Sequence, residues 1–454
     1  GSLKLTRVYI HSIIFPDSHS RTNCLTIEFT MKHLLNSLDT FTRRKFVERC
    51  AATSFGLSVL QAAPLAASGS VDQKSAAFGK AKRVIWLMLS GGLSHIDSFD
   101  PKEGKSKGPA KTISTSADFQ ITDFFPQFAT VADRVCLIRS MEAKIGVHAP
   151  AQYFMRTAFE KRGTILHPNL GAWGSHYLGR SSKTLPSSVC INRRSDQANG
   201  FFPSSYAPLA IGDPTQGISD VKSIGSNSES KKRLALLNGL DADFRKTFND
   251  KSVNAYNGFY DDALALMKSQ ELQAFDLSGE SQEQREAYGN NAFGQGCLLA
   301  RRLVDSGVRF VEVKHDGWDH HKALADEMSE IAPVFDQAFT TLITDLEQRG
   351  MLDSTLVVVA TEFGRKPGFD GDGRSHHPVC FSTVLAGGGT KAGFVYGKSD
   401  NEGFYVDENA VTVGAFHASI AHAAGMNIEE PAISPSGRPM TVGDGEEPVL
   451  ELFA

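Results

Sequence analysis

The sequence predicts an α/β protein: a doubly wound, mostly parallel sheet flanked by helices, with a helical insertion. Three observations predict it. Short, continuous apolar runs each end in glycine or polar residues, which is the pattern of strands buried on both faces. Between them lie segments with helical periodicity. A charged stretch without convincing strand signals, about 212–291, interrupts the alternation.

The first run, Arg83-Val84-Ile85-Trp86-Leu87-Met88-Leu89, stops at Ser90-Gly91-Gly92 and reads as a central strand closed by a tight glycine turn. Val308 to Val313, Leu356 to Ala360 and Phe381 to Leu385 repeat the theme. After His321, the residues Leu324, Met328, Ile331, Phe335, Ala338, Leu342 and Leu346 recur every three or four positions, so one helix face packs on the sheet, with a kink expected at Pro333. Within the insertion, Lys231 to Lys246 and Asp261 to Phe275 read as surface helices. In such folds function collects beyond the carboxyl ends of the strands.

Ahead of this domain, placed at 80–454, the chain reads differently. Gly1-Ser2 resembles a cloning remnant, and residues 1–30 are expected to be a non-native, disordered leader. From Met31, the order Arg43-Arg44-Lys45, an apolar run from Ala51 to Ala67 and small residues to Ser70 predicts a twin-arginine-type signal peptide over 31–70. The run is too short and too rich in small residues for a membrane helix, so no integral span is expected in the mature chain. This predicts a periplasmic or secreted protein, exported folded with any metal already inserted. Outside the presumed signal, Cys136, Cys190, Cys297 and Cys380 are dispersed and read as small buried residues. A net charge of -4 provides no cationic field for nucleic acid, which is excluded as a partner.

Four polar clusters follow the predicted strands. Ser90, Gly91 and His95 lie in the first, where glycine lets backbone approach a ligand. His148, just ahead of a helix carrying Pro150 in its first turn, is expected to be neutral beside the positive end of the helix dipole, ready to bind a metal or to donate to an oxyanion. The third, His315-Asp316-Gly317-Trp318-Asp319-His320-His321, is the densest. Carboxylate and imidazole together hold divalent metals such as zinc or manganese, with calcium a further possibility, and extended backbone can point Asp319 and His321 the same way. In the fourth, Glu362 and Arg365 follow a strand, and Gly371 to Pro378 precede the next. Arg365 or Arg374 can clamp an anionic ester bidentately, and His376 is the natural third ligand.

The ordered motifs Gly91 to Lys102, His148 to Gln152 (His-x-Pro-Ala-Gln), Gly317 to His321 (Gly-Trp-Asp-x-His), Glu362 to Arg365 (Glu-Phe-Gly-Arg) and Gly373 to His376 (Gly-Arg-x-His) resemble the bacterial family called domain of unknown function 1501. That family is similar to the alkaline phosphatase and sulfatase superfamily. The resemblance implies an alkaline-phosphatase-like fold and a metal-dependent hydrolase of phosphate or sulfate esters, acting on a small anionic ester or a sulfated or phosphorylated glycan. This chain departs from the superfamily pattern: Ser90-Gly91 stands where a metal-binding Asp is expected, His148 where the nucleophile is, and Glu362-Phe363 where an Asp-His ligand pair is. What remains implies one metal held by Asp319, His321 and His376. Glu362 or His148 would be general base or further ligand, with His148 as a nucleophile the bolder version, and Arg365 would hold the anion. The competing expectation is a non-catalytic periplasmic binding or assembly protein with a degenerate site.

Overall fold

Arg83–Ser90 forms β1 at the centre of a nine-stranded sheet. Its side chains alternate between two separate cores. Ile85, Leu87 and Leu89 face one layer, while Val84, Trp86 and Met88 face the other. Both faces are therefore covered, which is why the run lacks the polar alternation of a half-exposed strand. In the computed structural model the described residues are 77–163, 165–193, 198–218, 232, 236, 263 and 265–454. The expected leader and signal peptide lie outside them, as does the helix expected over Lys231–Lys246 apart from Lys232 and Leu236.

The remaining sheet strands are β2 (Val135–Glu142), β3 (Ser188–Ile191), β4 (Leu209–Ile211), β5 (Phe310–Asp316), β6 (Thr355–Ala360), β9 (Phe381–Ala386), β10 (Phe394–Tyr396) and β11 (Val411–Thr412). Two short strands, β7 (Gly364–Arg365) and β8 (His376–His377), pair with each other off the sheet. The spatial order is β10-β2-β9-β6-β1-β5-β3-β4, with β11 also on β2. All pairings are parallel except those of β9, which runs against both β2 and β6. The sheet is thus mostly parallel, and the carboxyl ends of β1, β2, β5 and β6 share one rim with the start of β9.

Helices α4 (Ala292–Asp305) and α5 (Leu324–Gln348) cover one face, burying Leu298, Leu299, Phe335, Phe339 and Leu342. The other face carries α1 (His148–Thr157), α2 (Leu170–Leu178) and α6 (Val413–Ala424), with Met155, Trp173 and Phe416 inside. The apolar spacing after His321 therefore marks a true core face. The helix continues on both sides of Pro333 as one element of 25 residues.

The described part of 212–291 contains helix and no strand: 265–268, a 3-10 turn at Gln270–Phe275, and α3 (Gln282–Tyr288). It is pinned to the main domain by buried polar contacts. Asp345 on α5 accepts from Tyr288 (2.9 Å), and Glu280 pairs with Arg301 of α4 (2.9 Å). Cys136, Cys190, Cys297 and Cys380 are buried and form no disulfide. No helix among the described residues is long and apolar enough to cross a membrane.

Candidate metal centre

The rim of the sheet gathers four residues from three places in the chain. His148 opens α1, which follows β2. Asp319 and His321 lie in the loop after β5, and His376 lies on β8, just before β9. One potential ligand atom from each of these four falls within 4.8 Å of all the others. His148 Nε2 is 3.1 Å from Asp319 Oδ2, and His321 Nε2 is 3.1 Å from Asp319 Oδ1. His376 Nε2 is 2.9 Å from His321 Nε2 and 3.4 Å from Asp319 Oδ1. Ligands about 2.1 Å from a tetrahedral zinc lie about 3.4 Å apart, and the spacings among Asp319 Oδ1, His321 Nε2 and His376 Nε2 are equal to that or a few tenths of an ångström shorter. Nitrogen from imidazole with one carboxylate is a donor set that suits zinc.

Local chemistry explains how the chain achieves this. Gly91, at φ +128°, lets the loop after β5 lie directly on the end of β1: a Cβ there would stand 2.5 Å from the Asp319 nitrogen. Trp318 N–H donates to Ser90 O (3.2 Å), closing the same contact. His321 N–H donates to Asp319 O (3.0 Å), so a three-residue turn, and not extended backbone, brings the two side chains together. Gly373 then allows the next segment to approach, since a Cβ there would meet the His321 carbonyl carbon at 2.2 Å. Arg374 N–H donates to His320 O (3.0 Å) and sets His376 beside His321.

The surrounding groups orient the four side chains. Glu362, 1% exposed, places Oε1 2.9 Å from His148 Nδ1. His376 Nδ1 lies 2.7 Å from Gly146 O, and Phe363 packs its ring on both His148 and His376. Arg365 is fully buried. Its guanidinium donates to Gly92 O (2.9 Å), Arg374 O (2.9 Å), Gly91 O and the Asp319 carboxylate. Those N–H groups are directed at protein acceptors, so Arg365 sits as a brace under the loop where the sequence reading has it gripping an anion. Arg374 is equally committed, to Asp97 (2.6 and 3.1 Å) and to backbone carbonyls.

Electrostatics follow the same partners. Burial raises the Asp319 carboxyl, but the Arg365 hydrogen bond and charge outweigh it and hold its pKa at about 2. The pKa of His148 is raised, first by its hydrogen bond to Glu362, with the Asp319 charge adding to it, against burial and the Arg365 charge. His321 is lowered by burial and by the Arg365 charge.

The other residues named from the sequence stand apart. Ser90 is buried at the end of β1, and its hydroxyl makes no hydrogen bond among the described residues. His95 is buried with Nε2 2.9 Å from Gly403 O, and burial lowers its pKa to about 4. Gly91 reaches the site through backbone alone, its N–H donating to Glu362. Within the dense cluster only Asp319 and His321 enter the centre. His315 stacks on Phe293 and faces the Trp318 N–H, His320 is buried, and Asp316 pairs with Lys314. Sequence reasoning gave Gln152 no role, although its amide reaches Glu362 (3.0 Å); the i, i+4 spacing from His148 on one helix face is the signal for it.

No curated protein matches the chain. Among solved structures it is similar to the lipoteichoic acid synthase LtaP from Listeria monocytogenes (8% identity, 78% of this chain and 74% of that one, TM-score 0.41). It is also similar to the PsFucS1 sulfatase from Pseudoalteromonas sp. (13%, 84% and 73%, TM-score 0.39). A third is the phosphonate monoester hydrolase of Agrobacterium radiobacter (10%, 82% and 77%, TM-score 0.40). The chemistry of the site rests on its own residues. The family model described as "Protein of unknown function (DUF1501)" matches residues 81–453, and the chain belongs to that family.

Proposed function

We propose that this chain is a metal-dependent hydrolase of phosphate or sulfate esters, using one divalent ion, zinc in the first instance, at the rim of the sheet. The observation that carries the reading is the convergence of His148, Asp319, His321 and His376 on one point. Asp319, His321 and His376 are the core ligands, with His148 as the fourth. The side chains of Asp319 and His321 are each 46% exposed, so the centre opens to solvent on one side, as a catalytic site must. A divalent ion there supplies Lewis acidity to an ester oxygen and makes water more acidic. The chain's own groups do the rest. Asp319 is kept ionised by Arg365, whose charge cancels that of the carboxylate, so an added divalent ion leaves net positive charge where an anionic ester would sit. Phe363, fully buried, packs against His148 and His376 and holds their rings in place. A small anionic ester or a sulfated or phosphorylated glycan is the proposed substrate class, and the Arg43-Arg44 pattern supports a location in the periplasm or outside the cell.

A second reading, a non-catalytic metal-binding protein, is favoured by one observation: both arginines near the site are occupied by protein acceptors, and four ligands can close a tetrahedron. Metal analysis followed by assays on aryl phosphate and aryl sulfate esters separates the two. The hydrolase predicts one divalent ion per chain and turnover that disappears on chelation and in Asp319→Ala. One bound ion without turnover supports the second reading, and protein that takes up no divalent ion sinks both.

A further inference from the structure

We infer that Glu362 and Gln152 are positioning residues that lock His148 as its Nδ1–H tautomer, so that the Nε2 lone pair is delivered to the centre. The inference rests on the metal reading above and assigns Glu362 a task different from that of general base.

The hydrogen-bond arithmetic leaves little freedom. Glu362 Oε1 accepts from Gly91 N–H (2.9 Å) and from the Gln152 amide (3.0 Å). An oxygen that already receives a backbone N–H and an amide N–H is an acceptor, so the proton in its contact with His148 Nδ1 (2.9 Å) belongs to the ring. The same logic orients Gln152: only its NH2 end can face a carboxylate oxygen that accepts from its neighbours. In the neutral ring, protonation of Nδ1 leaves the lone pair on Nε2, and it is this atom that stands 3.1 Å from Asp319 Oδ2. Glu362 is poorly placed for the other role, because its side chain has no exposure to solvent and Oε1 already takes three hydrogen bonds. His376 reaches the same tautomer by a different device, Nδ1 facing the Gly146 carbonyl, so two of the three imidazoles that present Nε2 inward have Nδ1 held by an acceptor. Partners of this kind fix ring orientation and raise the basicity of a ligating imidazole.

The test reads the tautomer directly. In metal-free protein labelled with 15N-histidine, long-range 1H–15N correlations recorded well above the imidazole titration range should show His148 protonated on Nδ1. In Gln152→Leu and Glu362→Ala the ring should shift toward the Nε2–H form. Zinc affinity, measured by competition with a chromogenic chelator, should weaken by about 10- to 100-fold in Glu362→Ala and by less in Gln152→Leu. Gln152 is only partly buried on α1, so its variant should melt like the parent and remains informative if the Glu362 variant does not fold. His148 protonated on Nε2 in the parent protein, or a Gln152→Leu variant with unchanged tautomer and unchanged zinc affinity, overturns the inference. If the parent protein binds no zinc but shows Nδ1–H at His148, the metal reading fails and the orientation by Glu362 stands.

Discussion

Arg365→Ala separates a structural brace from a substrate-binding arginine. In the parent protein the guanidinium satisfies the carbonyls of Gly91, Gly92 and Arg374 at a fully buried position. Truncation leaves these acceptors without their donor, at about 1–3 kcal/mol for each that water cannot reach. The ion pair with Asp319 adds little to this, because that carboxylate is half exposed and the pair is screened. Allowing for water entering the space left by the side chain, the expected loss is about 4 kcal/mol, a large share of the roughly 5–15 kcal/mol available to a domain. Arg365→Lys keeps the charge but not the planar fork, and should recover less than half of it. The assay is urea unfolding of metal-free protein, compared by midpoint at constant m-value. An arginine reserved for an anionic substrate would be dispensable for folding. A midpoint for Arg365→Ala within about 1 kcal/mol of the parent would therefore refute the brace.

Two further outcomes follow from the same geometry. Gly91→Ala should destabilise the protein by several kcal/mol and abolish stoichiometric zinc uptake, because the new Cβ at 2.5 Å from the Asp319 nitrogen must push the loop away; normal zinc binding in a folded Gly91→Ala protein would contradict the close approach. Acid should weaken the fold through two buried histidines as pH falls from 6.5 toward 4. His95 and His417 are buried and lowered by burial from 6.5 to about 4, so the folded state holds them neutral while the unfolded chain protonates. Their stabilisation is complete above pH 6.5 and is lost as pH falls toward 4, by at most about 3 kcal/mol for each. Stability measured across that window should decline with acidification, and a flat profile would count against both assignments.

The sequence by itself determined the class of fold, because hydrophobic burial is written locally. The run from Val84 to Leu89 is apolar on both faces and forms the middle of the sheet, and the spacing from Leu324 to Leu346 marks the buried stripe of α5. Polar residues crowded after strand ends pointed to the rim, since that is where a parallel sheet leaves chain free to diverge. Other elements were not legible. β3 and β4 are four and three residues long, too short for a period to declare itself, and the direction of β9 depends on its neighbours alone. Which members of the His315 to His321 cluster face inward was also undetermined, because adjacent residues have the same chemistry and differ only in the turn at Asp319. Only the tertiary structure decided the roles of Arg365, Glu362 and Gln152. An arginine carries the same five donors whether they meet a substrate or a carbonyl, and what they meet is set by contacts between segments more than 200 residues apart, such as Glu362 with Gly91 and His148.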